Sequence, residues 1–140
     1  MRSVELFAGA GGLALGMSRA GFRHAAVVEW DHDSCETFRH NQRLHARDVS
    51  NWPLFQGDAR SFDFKTVGDN VVVVSGGPPC QPFSMGGKAR GHMDERDMFP
   101  QAVRAVRELQ PKAFIFENVK GLLRQSFAQY FEYICLQLSH

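Results

Sequence analysis

Cys80 is the side chain in this sequence best suited to nucleophilic chemistry. It sits in Ser75-Gly76-Gly77-Pro78-Pro79-Cys80-Gln81-Pro82-Phe83-Ser84, directly after Val71-Val72-Val73-Val74. Proline fixes its own φ and restricts the residue before it, so a thiol among these prolines is aimed rather than loose. A thiolate in an electropositive, partly exposed setting is a strong nucleophile. A second set of residues could hold a nucleoside. Phe7-Ala8-Gly9-Ala10-Gly11-Gly12 is a glycine turn, and Glu29 follows Gly9 by about 20 residues, the distance at which an acid accepts from ribose hydroxyls. Trp30 offers a flat face to a purine, and Asp58 in Gly57-Asp58-Ala59-Arg60 could accept from an exocyclic amine. Counted from Gly9, the third glycine of a dinucleotide fingerprint is replaced by Ala14, which that fingerprint also allows, so a dinucleotide site stays open on spacing alone. The loop contains no Lys or Arg, which suits a positively charged sulfonium cofactor better than a pyrophosphate.

These residues fall at the ends of predicted strands. Val4–Ala8, Ala25–Glu29 and Pro53–Gln56 read as strands, the last of them weak. Val71–Ser75 reads as a strand buried on both faces, and Ala113–Glu117 as another. Between them lie helical patterns: Leu13–Ala20 closed by Gly21, one capped by Asp31 or Asp33 and running to Asn41 or Arg43, one from Asp97 to Leu109, and a last one marked by Phe127, Phe131, Ile134 and Leu138. Residues 84–97, with glycines among charges, read as a mobile loop. Strands alternating with helices predict an α/β fold, a parallel sheet with helices on both faces. The strand at 113–117 is as apolar as a central one, yet no later strand pattern covers its outer edge. The fold is therefore expected to be incomplete at its C-terminal end.

Composition sets outer limits. A chain of 140 residues supports one domain; 44% hydrophobic and 22% charged content is ordinary for a globular protein. No apolar run approaches the roughly 20 residues that span a bilayer. The three cysteines, Cys35, Cys80 and Cys135, form no CxxC pair, and the six histidines have no metal-ligand spacing, so neither metal nor disulfide framework is expected. Cys35 and Cys135 read as packing residues within helices. A reducing, cytoplasmic location fits. Net charge of +1 gives no aggregate basic signature for nucleic acid, though it leaves room for a local one.

Taken in order, the motifs resemble those of the cytosine-C5 DNA methyltransferases. Glu5-Leu6-Phe7-Ala8-Gly9-Ala10-Gly11-Gly12-Leu13 looks like that family's first motif, Glu29-Trp30-Asp31 the second, Gly57-Asp58 the third and Gly77–Ser84 the catalytic fourth. Asp97-Met98-Phe99 is similar to the fifth, and Phe116-Glu117-Asn118-Val119-Lys120-Gly121 to the sixth. The resemblance covers nearly the whole chain and implies a Rossmann-like S-adenosylmethionine-dependent methyltransferase, with S-adenosylhomocysteine as product and cytosine in double-stranded DNA as acceptor, as in restriction–modification. It implies that Cys80 adds to cytosine C6, that Glu117 shares a proton with N3 from an enclosed site, and that Asn118 orients the catalytic loop. Phe7, Ala8, Gly9, Gly11, Gly12, Leu13, Glu29, Trp30, Asp58, Ala59, Pro79 and Met98 are the implied cofactor residues. Because a duplex hides its bases, the target is flipped out; Ser84, Lys88 and Arg90 are the implied nucleic-acid contacts.

A complete enzyme of that family continues with a Gln-x-Arg-x-Arg segment, a target-recognition region and a late returning helix, none of which this sequence contains. Residues 1–140 are thus expected to be the cofactor-binding and catalytic part, to need a second subunit or complementing polypeptide, and to transfer little or no methyl alone. Association with the nucleoid is expected if the source is bacterial. The competing readings are a tRNA cytosine-C5 methyltransferase, a non-catalytic S-adenosylmethionine-binding fragment, and a nucleotide-dependent oxidoreductase with a redox cysteine.

Overall fold

The computed structural model describes residues 1–45, 48–79 and 97–139. Five parallel strands form one sheet in the order β3-β2-β1-β4-β5, with β1 at Arg2–Leu6, β2 at Arg23–Glu29, β3 at Leu54–Gln56, β4 at Val71–Gly76 and β5 at Ala113–Phe116. Helix α1 (Gly12–Arg19) joins β1 to β2, and α2 (His32–Arg43) joins β2 to β3. Two short 3-10 turns (Ala59–Ser61, Phe64–Val67) lead to β4; α3 (Phe99–Leu109) precedes β5, and α4 (Ala128–Leu138) ends the described chain. The connections from β1 and from β4 run to opposite sides of the sheet, so a crevice opens between these strands at their carboxyl ends.

Successive side chains of a strand face opposite ways, and the core divides accordingly. Val4, Leu6, Ala26, Val28 and Val74 pack with Phe62, Phe64 and Val67 of the turns and Ala105 of α3. Val27 packs on the other face with Ala14 of α1, Phe38 of α2 and Trp52. Helices therefore cover both faces, as the alternating pattern predicts. A smaller cluster of Phe99, Leu122 and Ile134 seats α4 on α3.

The strand and helix boundaries hold closely, with instructive exceptions. β1 runs from Arg2 to Leu6 rather than from Val4 to Ala8, because Phe7 takes a left-handed conformation (φ 54) and ends the strand. Met98, not Asp97, occupies the position before α3; the buried Asp97 carboxylate instead accepts from the Phe99 amide at 3.1 Å and from the Tyr130 hydroxyl of α4. Asp31 does cap α2, accepting from the Ser34 amide at 2.8 Å. Cys35 is buried as expected, but Cys135 is exposed because α4 turns that face outward. No helix among the described residues is long and apolar enough to cross a membrane.

Candidate active site

The glycine turn is built from backbone that most side chains would strain. Phe7, Gly9 (φ 53) and Gly11 (φ 91) are all left-handed, and together they fold the chain from β1 back into α1. Gly11 stands at the cap of α1, where an added Cβ would lie 2.5 Å from a ring carbon of Phe38. Gly9 faces open space, and its amide donates to Glu29 Oε2 at 2.6 Å. The other oxygen of Glu29 accepts from the amides of Trp30 and Asp31, both at 2.8 Å. Three backbone N–H groups thus fix a buried carboxylate at the end of β2. A carboxylate has about four lone-pair sites, so capacity remains for a hydroxyl donor. Trp30 projects beside it with 74% of its surface exposed.

The third acid closes the same hollow. Asp58 caps the Ala59–Ser61 turn through the Arg60 amide (2.8 Å), and its carboxylate also pairs with the Arg60 guanidinium at 3.1 Å. An open pocket of about 560 Å³ lies between these segments. Its walls include Phe7 and Gly9 of the glycine turn, Val28, Glu29, Trp30, Asp31 and Ser34 from the end of β2 and the start of α2, and Gly57, Asp58, Ala59 and Arg60 beyond β3. Gly77, Pro79 and Met98 complete it from the β4 side. The Ser34 amide and hydroxyl hold the Asp31 carboxyl below its ordinary range. With Glu29, Asp31 and Asp58 against Arg60, the walls favour a cationic ligand.

Of the expected cofactor residues, Phe7, Gly9, Glu29, Trp30, Asp58, Ala59, Pro79 and Met98 lie on this pocket; Ala8, Gly11, Gly12 and Leu13 are not among its described walls. Ala8 packs in the core with Ala14 and Val27, and Gly11 lies under Phe38, so both shape the turn rather than line it. Ser34, Gly77 and Arg60 line the pocket without having been singled out in the sequence. Gly77 belonged to the recognised Gly-Pro-Pro-Cys run; Ser34 and Arg60 carried no signal beyond following an acid by two or three residues.

On the β4 side the chain is held from two directions. Asn118 Nδ2 donates to the Pro78 carbonyl at 2.8 Å, and the Met98 amide to the Pro79 carbonyl at 3.3 Å. The Glu117 amide donates to the Gly76 carbonyl at 2.9 Å. A Cβ added at Gly77 would stand 3.5 Å from Glu117 Oε2, so the carboxyl lies directly over that glycine. Glu117 is exposed rather than enclosed, because it directly follows β5, an edge of the sheet. Cys80, Ser84, Lys88 and Arg90 lie outside the described residues.

A parallel sheet of this order, a glycine turn after its central strand, and acids after the next two strands define the class of Rossmann-like S-adenosylmethionine-dependent methyltransferases. The residues present fit that cofactor: two acids for hydroxyls and an amine, an exposed indole face, and an acidic wall for a sulfonium. The chain belongs to the C-5 cytosine-specific DNA methylase family, whose model matches residues 1–140. It is 43% identical over 137 residues to the Type II methyltransferase M.NgoMIV of Neisseria gonorrhoeae, covering 98% of this chain and 41% of that protein. To M.AquIA of Picosynechococcus it is 37% identical, covering 97% of this chain and 55% of that protein. A prophage-encoded DNA modification methyltransferase of E. coli superposes with a TM-score of 0.71 at 28% identity, over 99% of this chain and 38% of that one. Spodoptera frugiperda DNMT2 shares the fold, with a TM-score of 0.68 at 21% identity over 98% of this chain and 41% of that one. The chain spans about half or less of the length of these relatives.

Proposed function

We propose that residues 1–140 form the cofactor-binding and catalytic part of an enzyme that methylates C5 of a flipped cytosine in double-stranded DNA through Cys80. The observation that carries this reading is the anchoring of Pro78 and Pro79 by Asn118 and Met98, with Glu117 over Gly77, at the rim of a pocket suited to S-adenosylmethionine. Cys80 is the next residue in the chain.

Cytosine C5 is a poor nucleophile. In the proposed reaction the Cys80 thiolate adds to C6, and the ring electrons move to make C5 an enamine carbon. Glu117 holds a proton at N3, so the ring does not accumulate negative charge as the sulfur–carbon bond forms. The cofactor supplies an electrophilic methyl group on its sulfonium. After C5 is methylated, loss of the C5 proton to a base drives out the Cys80 sulfur and restores the aromatic ring. Asn118 acts through the Pro78 carbonyl and fixes the backbone two residues before Cys80. Glu29 is poised to accept from the ribose and Asp58 from the adenine amine. With DNA as acceptor, the protein would act in the cytoplasm, at the nucleoid if its source is bacterial.

The completed enzyme also needs a further polypeptide segment, in the same chain or another, that reads the DNA and covers β5. Support comes from the exposure of Phe114 (40%) and Ile115 (49%) on that edge strand and from the greater length of the relatives. The decisive test is covalent capture. Completed enzyme mixed with S-adenosylmethionine and duplex carrying 5-fluorocytosine is expected to give a denaturation-resistant adduct, absent in Cys80→Ser and Cys80→Ala. An adduct retained in either variant, or methyl transfer to tRNA but not DNA, overturns the proposal.

A further inference from the structure

Arg104 points from α3 to the turn that carries the purine-facing wall. Its Nη1 donates to the Arg60 carbonyl at 2.9 Å, and its Nη2 to the carbonyls of Ala59 (3.0 Å) and Phe62 (2.7 Å). The guanidinium carbon lies 4.8 Å from the centroid of the Phe64 ring. Glu108, one helical turn on, sits 3.5 Å from Nε. One planar side chain thus gathers three carbonyls and an aromatic face.

The turn needs such support. A 3-10 turn of three residues has few internal hydrogen bonds and poor geometry. It hangs from β3, itself only three residues long. Asp58 grips the turn from one end through the Arg60 amide, and Arg104 grips the other through the carbonyls. Arg104 therefore ties the Asp58–Ala59 wall to α3, whose own start carries Met98, the opposite wall. The gap between these walls is where a purine edge would lie.

We propose that Arg104 is a positioning residue that sets purine selectivity: by clamping the Ala59–Phe62 turn to α3, it fixes Asp58 where an adenine amine can donate to it. The inference rests on the reading of this pocket as the S-adenosylmethionine site. A lysine cannot replace the clamp, since an ammonium has no planar fork to serve several carbonyls while stacked on a ring.

The test compares S-adenosylmethionine with its analogue lacking the 6-amino group, by equilibrium binding to the full chain together with its completing segment. Wild type is expected to prefer the amine-bearing ligand. Arg104→Lys should lose about tenfold in affinity for S-adenosylmethionine and little for the analogue, so the preference collapses. Phe64→Leu, which keeps the apolar core but removes the stacked face, should move the same ratio less. In ligand-free protein, amide exchange at residues 59–62 should quicken in Arg104→Lys while the β1 and β4 amides stay protected. Equal weakening of both ligands, or no change in the ratio, overturns the role of Arg104. Failure of wild type to bind S-adenosylmethionine overturns the pocket reading itself, and this inference with it.

Discussion

Glu5 places a carboxyl where a sheet interior ordinarily takes an apolar side chain. It is 1% exposed, pairs in register with Ser75 across β1 and β4, and accepts from the Ser75 hydroxyl. Burial pushes its pKa up from 4.5 to about 7, against the smaller lowering effect of that hydrogen bond. A carboxyl raised in the folded state stabilises fully below its unfolded pKa and loses that stability as pH rises through the folded value. The loss should therefore fall between pH 4.5 and about 7 and reach roughly 3 kcal/mol. His24 runs the other way. Its imidazole is buried, donates from Nε2 to the Ala14 carbonyl at 2.8 Å, and is held below its ordinary 6.5, so its contribution is complete above that value and lost on acidification. Urea unfolding from pH 5 to 8 should show in wild type the two slopes opposing each other below 6.5 and a net fall from there to about 7, where His24 no longer offsets Glu5. In Glu5→Gln the fall should vanish and leave only the opposite slope of His24; a variant as steep as wild type counts against the assignment. Glu29→Gln tests the pocket. Its amide nitrogen cannot accept from backbone N–H groups that the carboxylate satisfies, so binding of S-adenosylmethionine should weaken and stability should drop by about 1–3 kcal/mol. Unchanged binding would remove Glu29 from the site.

At the scale of elements, the glycine turn is the feature most sensitive to a single methyl. Gly11→Ala forces a left-handed alanine and drives its Cβ into Phe38, so calorimetry should show a loss of about 1–3 kcal/mol or more. The same substitution at Gly12, where nothing lies within 4 Å and the residue is already helical, should cost little. Strands, helices and the acids at strand ends were legible in the sequence because they rest on local periodicity and fixed spacing. Val71–Val74 reads as a buried strand, and either Asp31 or Asp33 as the cap of a helix, of which the structure selects Asp31. What the sequence did not show acts through the backbone of distant segments. Arg104 serves carbonyls more than forty positions away, and Met98 holds Pro79 with its amide rather than its side chain. Phe7 gave no sign of a left-handed φ, since phenylalanine has no preference for one.

For the whole molecule the open flank of β5 sets the behaviour in solution. Phe114 and Ile115 of β5, Leu123 of the turn that follows and Leu136 of α4 are exposed, and β5 is an edge of the described sheet. The polypeptide of residues 1–140 alone should show little or no methyl transfer and should bind a hydrophobic dye. Addition of the completing segment should quench the dye and restore transfer. Ile115→Lys should lower dye binding in the single chain yet block that restoration. Full activity of residues 1–140 alone would remove the need for a partner segment.

Gly76 pairs with Leu6 across β4 and β1, and a Cβ there would come within 2.3 Å of the Leu6 carbonyl oxygen. The seam it permits divides labour along the chain. In the proposed reading, Glu29 and Asp58 from the β1–β3 half hold the nucleoside end, Gly77, Pro79 and Met98 close the pocket from the β4 side, and the residues proposed to handle the pyrimidine come from β4 onward. On the proposed mechanism the methyl group crosses that seam, so the spacing of these two backbones bears on its travel. Gly76→Ala would push β1 and β4 apart at this point and so, on the proposed mechanism, separate the methyl donor from its acceptor.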